Sequence, residues 1–122
     1  MIYRTRKIIK HEDLNPRETL FGGQVMKWCD EEAAIYATCQ LNTTNLVTKV
    51  VSEINFMAPA KRGDIIEIGC AVLNLGKSSI TIEVDVRNKT TKQSIVHIDK
   101  MVFVCVDEEG KSKPHGVTEI KE

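Results

Sequence analysis

In the segment SITIEVDVRN, residues 79–88, apolar side chains recur at Ile80, Ile82, Val84 and Val86, with polar residues between them. A period of two marks a strand with one buried face. Residues 65–75 and 93–106 read as strands on either side, set off by turns at Gly76-Lys77-Ser78 and around Lys89–Lys92. Upstream, residues 46–58 (LVTKVVSEINFMA) are rich in β-branched types and stop at Pro59, which opens a turn, PAKRGD, over residues 59–64. Residues 2–9 mix apolar and charged positions in the manner of an edge strand.

The period changes between Phe21 and about Gln40. Val25, Met26, Ala33, Ala34 and Ala37 sit in a proline-free run of helical composition that fades near Asn42 and Asn45. The preceding KHEDLNPRETL, residues 10–20, carries the turn formers Asp13, Asn15 and Pro16 and reads as a loop. The predicted order is a strand, one long helix, and four long strands joined mostly by short turns. Strands so joined pair antiparallel, and a lone helix must bury its apolar side on them. This gives an α+β fold with about five strands. The sheet's unpaired edges invite pairing of two copies.

Length and charge narrow the function. The 122 residues suit one domain, 1–122, with a charged tail over 107–122. Lys plus Arg and Asp plus Glu both number 17, and aromatic residues are few, so no nucleic-acid partner is expected. No apolar run approaches the roughly 20 residues of a membrane helix. The start, MIYRTRKIIK, has no signal-peptide core, so a cytoplasmic protein with no membrane partner is expected. Cys29, Cys39, Cys70 and Cys105 form no CxxC, and His11, His97 and His115 are scattered, so neither a metal site nor a disulfide framework is expected.

The helix holds the candidate chemistry. At 100° per residue, Phe21, Val25, Trp28, Ile35, Tyr36 and Cys39 fall on one core-facing stripe, and Lys27, Glu31 and Thr38 on a polar sector. A third sector gathers Gly22, Gly23, Met26, Ala33, Ala34 and Ala37, with Asp30 in its middle. A carboxylate among small residues suits close approach of a ligand, and equally an acid on a solvated face. Glu32 competes as a functional acid, though a place at the solvated flank is favoured. Gly22-Gly23 at the helix entrance offers free N–H groups, the positive end of the dipole and no side chains, which are the makings of an oxyanion hole. Gly23 and Asp30 share a face but stand about 10 Å apart along the axis. A reacting carbonyl needs its polarising donor and its base or nucleophile each near 3 Å. Two antiparallel helices in a dimer satisfy this, each entrance facing the other's Asp30, and a single helix does not.

The segment HEDLNPRETLFGGQVMKWCDEEAAIYA resembles the N-terminal motif of cytosolic acyl-CoA thioesterases of the hot-dog superfamily. That family has an Asn, then a hydrophobic-aromatic pair with Gly-Gly, then an Asp seven residues later followed by small residues. Here these are Asn15, Leu20-Phe21-Gly22-Gly23, and Asp30 with Ala33-Ala34. INFMAPAKRGDIIEIGCAVLNLGKSSITIEVDV is similar to the family's F-x-x-P-x-x-x-G-D turn and G-[KR]-[ST]-S hairpin, and VFVCVDEEGK to its last strand and turn.

The resemblance implies a hot-dog fold, a curved antiparallel sheet wrapped round one helix, and hydrolysis of acyl-coenzyme A thioesters. It implies Asp30 as general base or nucleophile, Gly23 N–H as oxyanion donor, and Asn15 and Thr19 in the catalytic loop. Coenzyme A would be substrate and product rather than cofactor. It would contact Phe21 and Gly22, with its nucleotide end near Lys61-Arg62 and the turn Gly76, Lys77, Ser78 and Ser79. Met26 and Met57 are candidates for the acyl channel. A homodimer, assembling further into a hexamer as a trimer of dimers, is implied as well. Several relatives carry Asn or Asp where this chain has Thr19, and many carry Gly where it has Glu18. A hydratase needs a His near the acid, which the helix does not offer. A non-catalytic acyl-CoA-binding module is the main alternative.

Overall fold

The structure, a computed structural model, describes residues 1–121. Strand β1 (Ile2–Ile8) leads through a short 3-10 turn (His11–Asp13) and a loop to helix α1 (Gly22–Leu41). Then follow β2 (Leu46–Val51), β3 (Ile54–Phe56), β4 (Ile65–Leu75), β5 (Ser79–Asn88) and β6 (Ser94–Cys105). The sheet runs β1-β4-β5-β6-β2, with β3 also on β6, and every pairing is antiparallel. The α+β architecture expected from the alternation is present, with six strands rather than about five.

The extra strand comes from a break inside residues 46–58. Ser52 N–H donates to the Lys100 carbonyl at 2.9 Å, and Lys100 N–H donates to Ser52 Oγ at 2.8 Å. A hydroxyl thus stands in for a backbone acceptor where the ladder is interrupted. No Gly or Pro marks the break, so the alternation gave no sign of it.

Ile80, Ile82, Val84 and Val86 are fully buried against the helix, together with Ile66, Ile68, Val96, Ile98, Met101 and Phe103 from the flanking strands. The helix is turned from its expected setting. Its buried line is Val25, Trp28, Cys29, Ala33, Tyr36, Ala37, Gln40 and Leu41, while Phe21, Ile35 and Cys39 are exposed. Ala33 and Ala37 therefore serve close approach of helix to sheet rather than of ligand to helix. Lys7 and Arg4 of β1 lie over the Trp28 and Tyr36 rings, each 5.3 Å from the centroid, and cover that flank. Asn42 ends the helix in the left-handed region, its N–H bonded to the Thr38 carbonyl at 2.8 Å. The tail lies on the surface. Lys113 N–H reaches the Cys105 carbonyl, and the Gln40 side chain bridges the backbone N–H and C=O of Lys121. Glu122 lies outside the described residues.

The sheet face away from the helix carries a polar cluster. The Tyr3 ring covers Gly69, where a Cβ would come within 2.8 Å of it, and Arg87 stacks on the ring at 3.6 Å. Tyr3 and Ser94 each donate to Asp85 at 2.7 Å, and burial with that carboxylate pushes the Tyr3 phenol up to about 12. Beside them Glu67 is buried under Arg87, Arg6 and Lys92 at 2.9, 3.3 and 3.3 Å. Burial pushes the Glu67 carboxyl up, but the three cations outweigh it and hold the group below its ordinary value.

A carboxyl held lower in the folded chain than in the unfolded one contributes stability above its unfolded value, near 4.3, that is lost as pH falls through the folded value. Glu67→Gln is therefore expected to cost about 1–3 kcal/mol at neutral pH and to flatten the loss of stability on acidification. Thermal melts between about pH 3 and pH 7 measure both. A variant that melts like the wild type throughout would show that the cluster contributes nothing.

Candidate active site

Asp30 sits two turns into α1 on its exposed side, at the edge where β2 passes beneath. Thr48 on β2 lies opposite Phe103 in register, and Phe103 is fully buried, so Thr48 faces the helix side of the sheet. Its hydroxyl donates to Asp30 Oδ1 at 3.0 Å. The carboxylate is thus solvent-facing, fixed by one neutral donor, with its other oxygen open to a ligand. Thr48 escaped the sequence reading; the signal that would have found it is a hydroxyl at an inward position of an apolar strand. Cys29, the next residue back, is no rival nucleophile. Burial, with the Asp85 and Asp30 charges adding to it, pushes its thiol up to about 12.

At the helix entrance, Gln24 and Val25 N–H both donate to the Phe21 carbonyl, at 3.0 and 3.1 Å. These are the first bonds of the ladder. Gly22 and Gly23 N–H stand ahead of it, without a backbone acceptor among the described residues. Both glycines are close to aromatic rings: a Cβ on Gly23 would meet the Phe21 ring at 2.7 Å, and one on Gly22 the Phe56 ring at 3.4 Å. Both rings are exposed and rim the entrance.

The loop before the helix is knotted by its own polar groups. Asn15 Oδ1 accepts from the N–H of Arg17 at 2.9 Å and of Thr19 at 3.2 Å, while Asn15 Nδ2 donates to Thr19 Oγ1 at 3.0 Å. Asn15 and Thr19 therefore meet each other, and in this structure their side chains shape the loop. Glu18 has φ of 65°, the left-handed region that a glycine enters without penalty. This chain adopts the turn with a Glu at a cost of about 1 kcal/mol.

A cleft of about 290 Å³ opens beside this loop, between Thr19, Leu20, Val25, Phe56, Met57 and Ile95 among others. Its walls are mainly apolar. Met57 lines it and Met26 does not; Met26 packs against the core instead.

The two expected coenzyme A contacts are far apart within one chain. Lys61 pairs with Thr19 beside the helix entrance, with its N–H on Asp64 Oδ2 at 2.9 Å, and it and Arg62 are exposed just ahead of β4. Gly76 to Ser79 lie past the other end of that 11-residue strand, roughly 30 Å away at the usual rise. A single protomer therefore keeps Lys61-Arg62 and Gly76–Ser79 apart. The turn itself is tight: Gly76 N–H donates to the Ser79 carbonyl at 2.9 Å, and a Cβ at Gly76 would collide with Ser79 Oγ. Ser78 C=O accepts from Cys105 N–H at 2.7 Å, and Lys77 C=O from His115 N–H at 3.1 Å, so Lys77 keeps its ammonium outward and exposed. Glu32 is half-buried and accepts from Thr5 Oγ1 at 2.7 Å, tying the helix to β1 away from Asp30. Among the described residues no helix is long and apolar enough to cross a membrane, and no group of His, Cys, Asp and Glu side chains is placed to hold a metal ion.

Known proteins resemble this chain in sequence and in fold. An uncharacterized acyl-CoA thioester hydrolase of Haemophilus influenzae is 31% identical over 114 residues, which are 88% of this chain and 73% of that one. The crystal structure of a hexameric thioesterase from Yersinia pestis superposes with a TM-score of 0.82 at 27% identity, covering 94% of this chain and 93% of that one. An acyl-CoA hydrolase from Staphylococcus aureus, solved with butyryl coenzyme A, coenzyme A and coenzyme A disulfide, gives a TM-score of 0.80 at 31% identity over 90% of this chain and 66% of that one. Variants of that enzyme in which an Asn, an Asp and a Thr are each replaced by Ala have also been solved. The family model described as the thioesterase superfamily matches residues 18–95. The helix on its antiparallel sheet, the match across most of the chain and the likeness to these structures agree, and the chain belongs to the thioesterase superfamily, with its hot-dog fold.

Proposed function

We propose that this chain hydrolyses acyl-coenzyme A thioesters to a carboxylic acid and coenzyme A, in sites shared between two copies. The observation that carries the reading is the pairing of an exposed, Thr48-held Asp30 with unsatisfied Gly22 and Gly23 N–H groups on the same helix. Those two features lie about 10 Å apart in one protomer, too far for one carbonyl. An antiparallel pair of helices brings each entrance to the partner's Asp30. The exposed Val47, Val50 and Val51 on β2, whose outer edge has no strand beside it, offer the surface for that pairing. The H. influenzae, Y. pestis and S. aureus relatives are named for acyl-CoA thioester or thioester hydrolysis, and the hexameric Y. pestis enzyme favours a further assembly of three such dimers. In the S. aureus enzyme the replaced Asn and Asp are fifteen positions apart, as Asn15 and Asp30 are here. The replaced Thr lies seventeen beyond that Asp, one fewer than from Asp30 to Thr48.

In the proposed reaction the Gly23 N–H, aided by the helix dipole, polarises the thioester carbonyl. The partner's Asp30 takes a proton from water as the water oxygen bonds to the carbonyl carbon, or attacks that carbon itself and forms an anhydride that water then opens. Collapse of the tetrahedral intermediate breaks the C–S bond, and the coenzyme A thiolate leaves and takes up a proton. A thiolate is a competent leaving group, so no resident cofactor or metal is required. Solvent oxygen-18 found in Asp30 after a single turnover separates the anhydride route from the water route. The four free cysteines suit a cytoplasmic setting.

The test is release of free thiol from acyl-CoAs of short to long chain. Turnover on at least part of the panel is expected, together with a dimer or larger assembly by light scattering. Tight acyl-CoA binding without turnover would replace this reading with a non-catalytic binding module, and a fully active monomer would overturn the shared site.

A further inference from the structure

Asp13 is a carboxylate only 2% exposed, in a loop that otherwise lies largely on the surface. Burying a charge costs several kcal/mol unless it is well bonded. Each of its oxygens has a specific task. Oδ2 accepts the Lys10 N–H at 2.8 Å, which closes the short 3-10 turn. Oδ1 accepts Nε2–H of Gln24 at 2.8 Å. The Asp13 backbone carbonyl accepts the Phe21 N–H at 2.9 Å. One residue therefore holds the helix at two points, Phe21 and Gln24, and between those points lie Gly22 and Gly23.

That placement answers a physical problem. The helix begins with two glycines, each about 1 kcal/mol less favourable than Ala in a helix, and Phe21 supplies no side-chain cap. Left to itself such an entrance frays, and the two N–H groups would wander. Glycines have no side chains by which to be anchored, so the anchorage has to come from the residues on either side.

We propose that Asp13 and Gln24 are a buried positioning pair that sets the direction of the Gly22 and Gly23 N–H groups toward the thioester oxygen. The proposal rests on the thioesterase reading of the same site. Neither residue touches substrate; both act through the helix entrance. Loss of the clamp misdirects donors that matter most when negative charge develops on the oxygen, so it lowers kcat and leaves KM nearly unchanged.

Asp13→Ala would also unpin the turn at Lys10, so Gln24 is the cleaner probe. Gln24→Met keeps length and helix preference and removes the donor, and Gln24→Lys restores N–H donors at similar reach. With the full-length chain and the best acyl-CoA of the panel, Gln24→Met is expected to lower kcat by about 10- to 100-fold, to change KM by less than about threefold and to leave Tm within a few degrees. Gln24→Lys is expected to recover most of the lost kcat. Wild-type kcat in Gln24→Met, a loss confined to KM, or a lost kcat that Gln24→Lys does not recover would each overturn the positioning role. Should the wild type itself release no thiol from any acyl-CoA, the thioesterase reading fails first and the pair has no oxyanion to serve; a failure of the pair alone shows as an active wild type beside an unaffected Met variant.

Discussion

Asp30→Ala is expected to cut acyl-CoA turnover by about 10²- to 10⁴-fold while leaving fold, assembly and Tm almost unchanged. The size follows from the assigned task, since removing the group that activates water or attacks the carbonyl removes a general-base or nucleophilic contribution of that order. The stability forecast follows from the surroundings. Asp30 is exposed and has a single neutral hydrogen bond, from Thr48 at 3.0 Å, and substitutions at such positions usually shift stability by less than about 0.5 kcal/mol. Asp30→Asn keeps the shape and the Thr48 bond and is expected to be nearly as inactive, which separates loss of the carboxylate from loss of packing. Thr48→Val frees the carboxylate without removing it and is expected to cost about 10- to 100-fold. Thiol release under saturating substrate checks all three. Turnover of the Ala variant within threefold of wild type would remove Asp30 from the mechanism.

The largest effect on stability is expected at Phe103. Its ring is among the largest fully buried side chains, and in register it lies between Ile80 of β5 and Thr48 of β2. Phe103→Ala removes that ring from a packed interior that can collapse only partly, which typically costs about 3–5 kcal/mol. Domains of this size have about 5–15 kcal/mol of stability in all, so the variant stands close to the threshold of folding. Because Phe103 lies directly beside Thr48, the cavity also loosens the support of Asp30, and whatever folded protein remains should turn over more slowly. Val104, the next residue, faces the other side of the sheet and is only half-buried, so Val104→Ala should cost far less. Urea unfolding of the two variants side by side decides the matter. Equal losses would mean that the two faces of β6 are not distinguished as described.

The hydrophobic pattern by itself determined the architecture of this protein. Period-two alternation at residues 79–88 places that strand where it is found, because a sheet with one buried face repeats every two residues. The Gly22-Gly23 and Asp30 spacing likewise follows from helix geometry alone, and so does the conclusion that one helix cannot bring both to one carbonyl. The motifs also placed the chain correctly among thioesterases.

What tertiary structure decided is everything that depends on which strand passes under which turn. Rotation of the helix toward Ala33 and Ala37, and away from Phe21, Ile35 and Cys39, was set by how closely small residues let it approach the sheet, a packing term that periodicity does not contain. The contact of Thr48 with Asp30 joins residues 18 apart in sequence through a strand register, and the interruption of residues 46–58 at Ser52 arises from a partner on β6. Asp13 read as a turn former like any other; only burial reveals that its carboxylate is bonded at both oxygens and reaches the helix. Local sequence carries period, turn chemistry and spacing, because those act between neighbours along the chain. Distances between segments remote in sequence are set by the packing of the whole, and that is where the surroundings of the candidate site were decided.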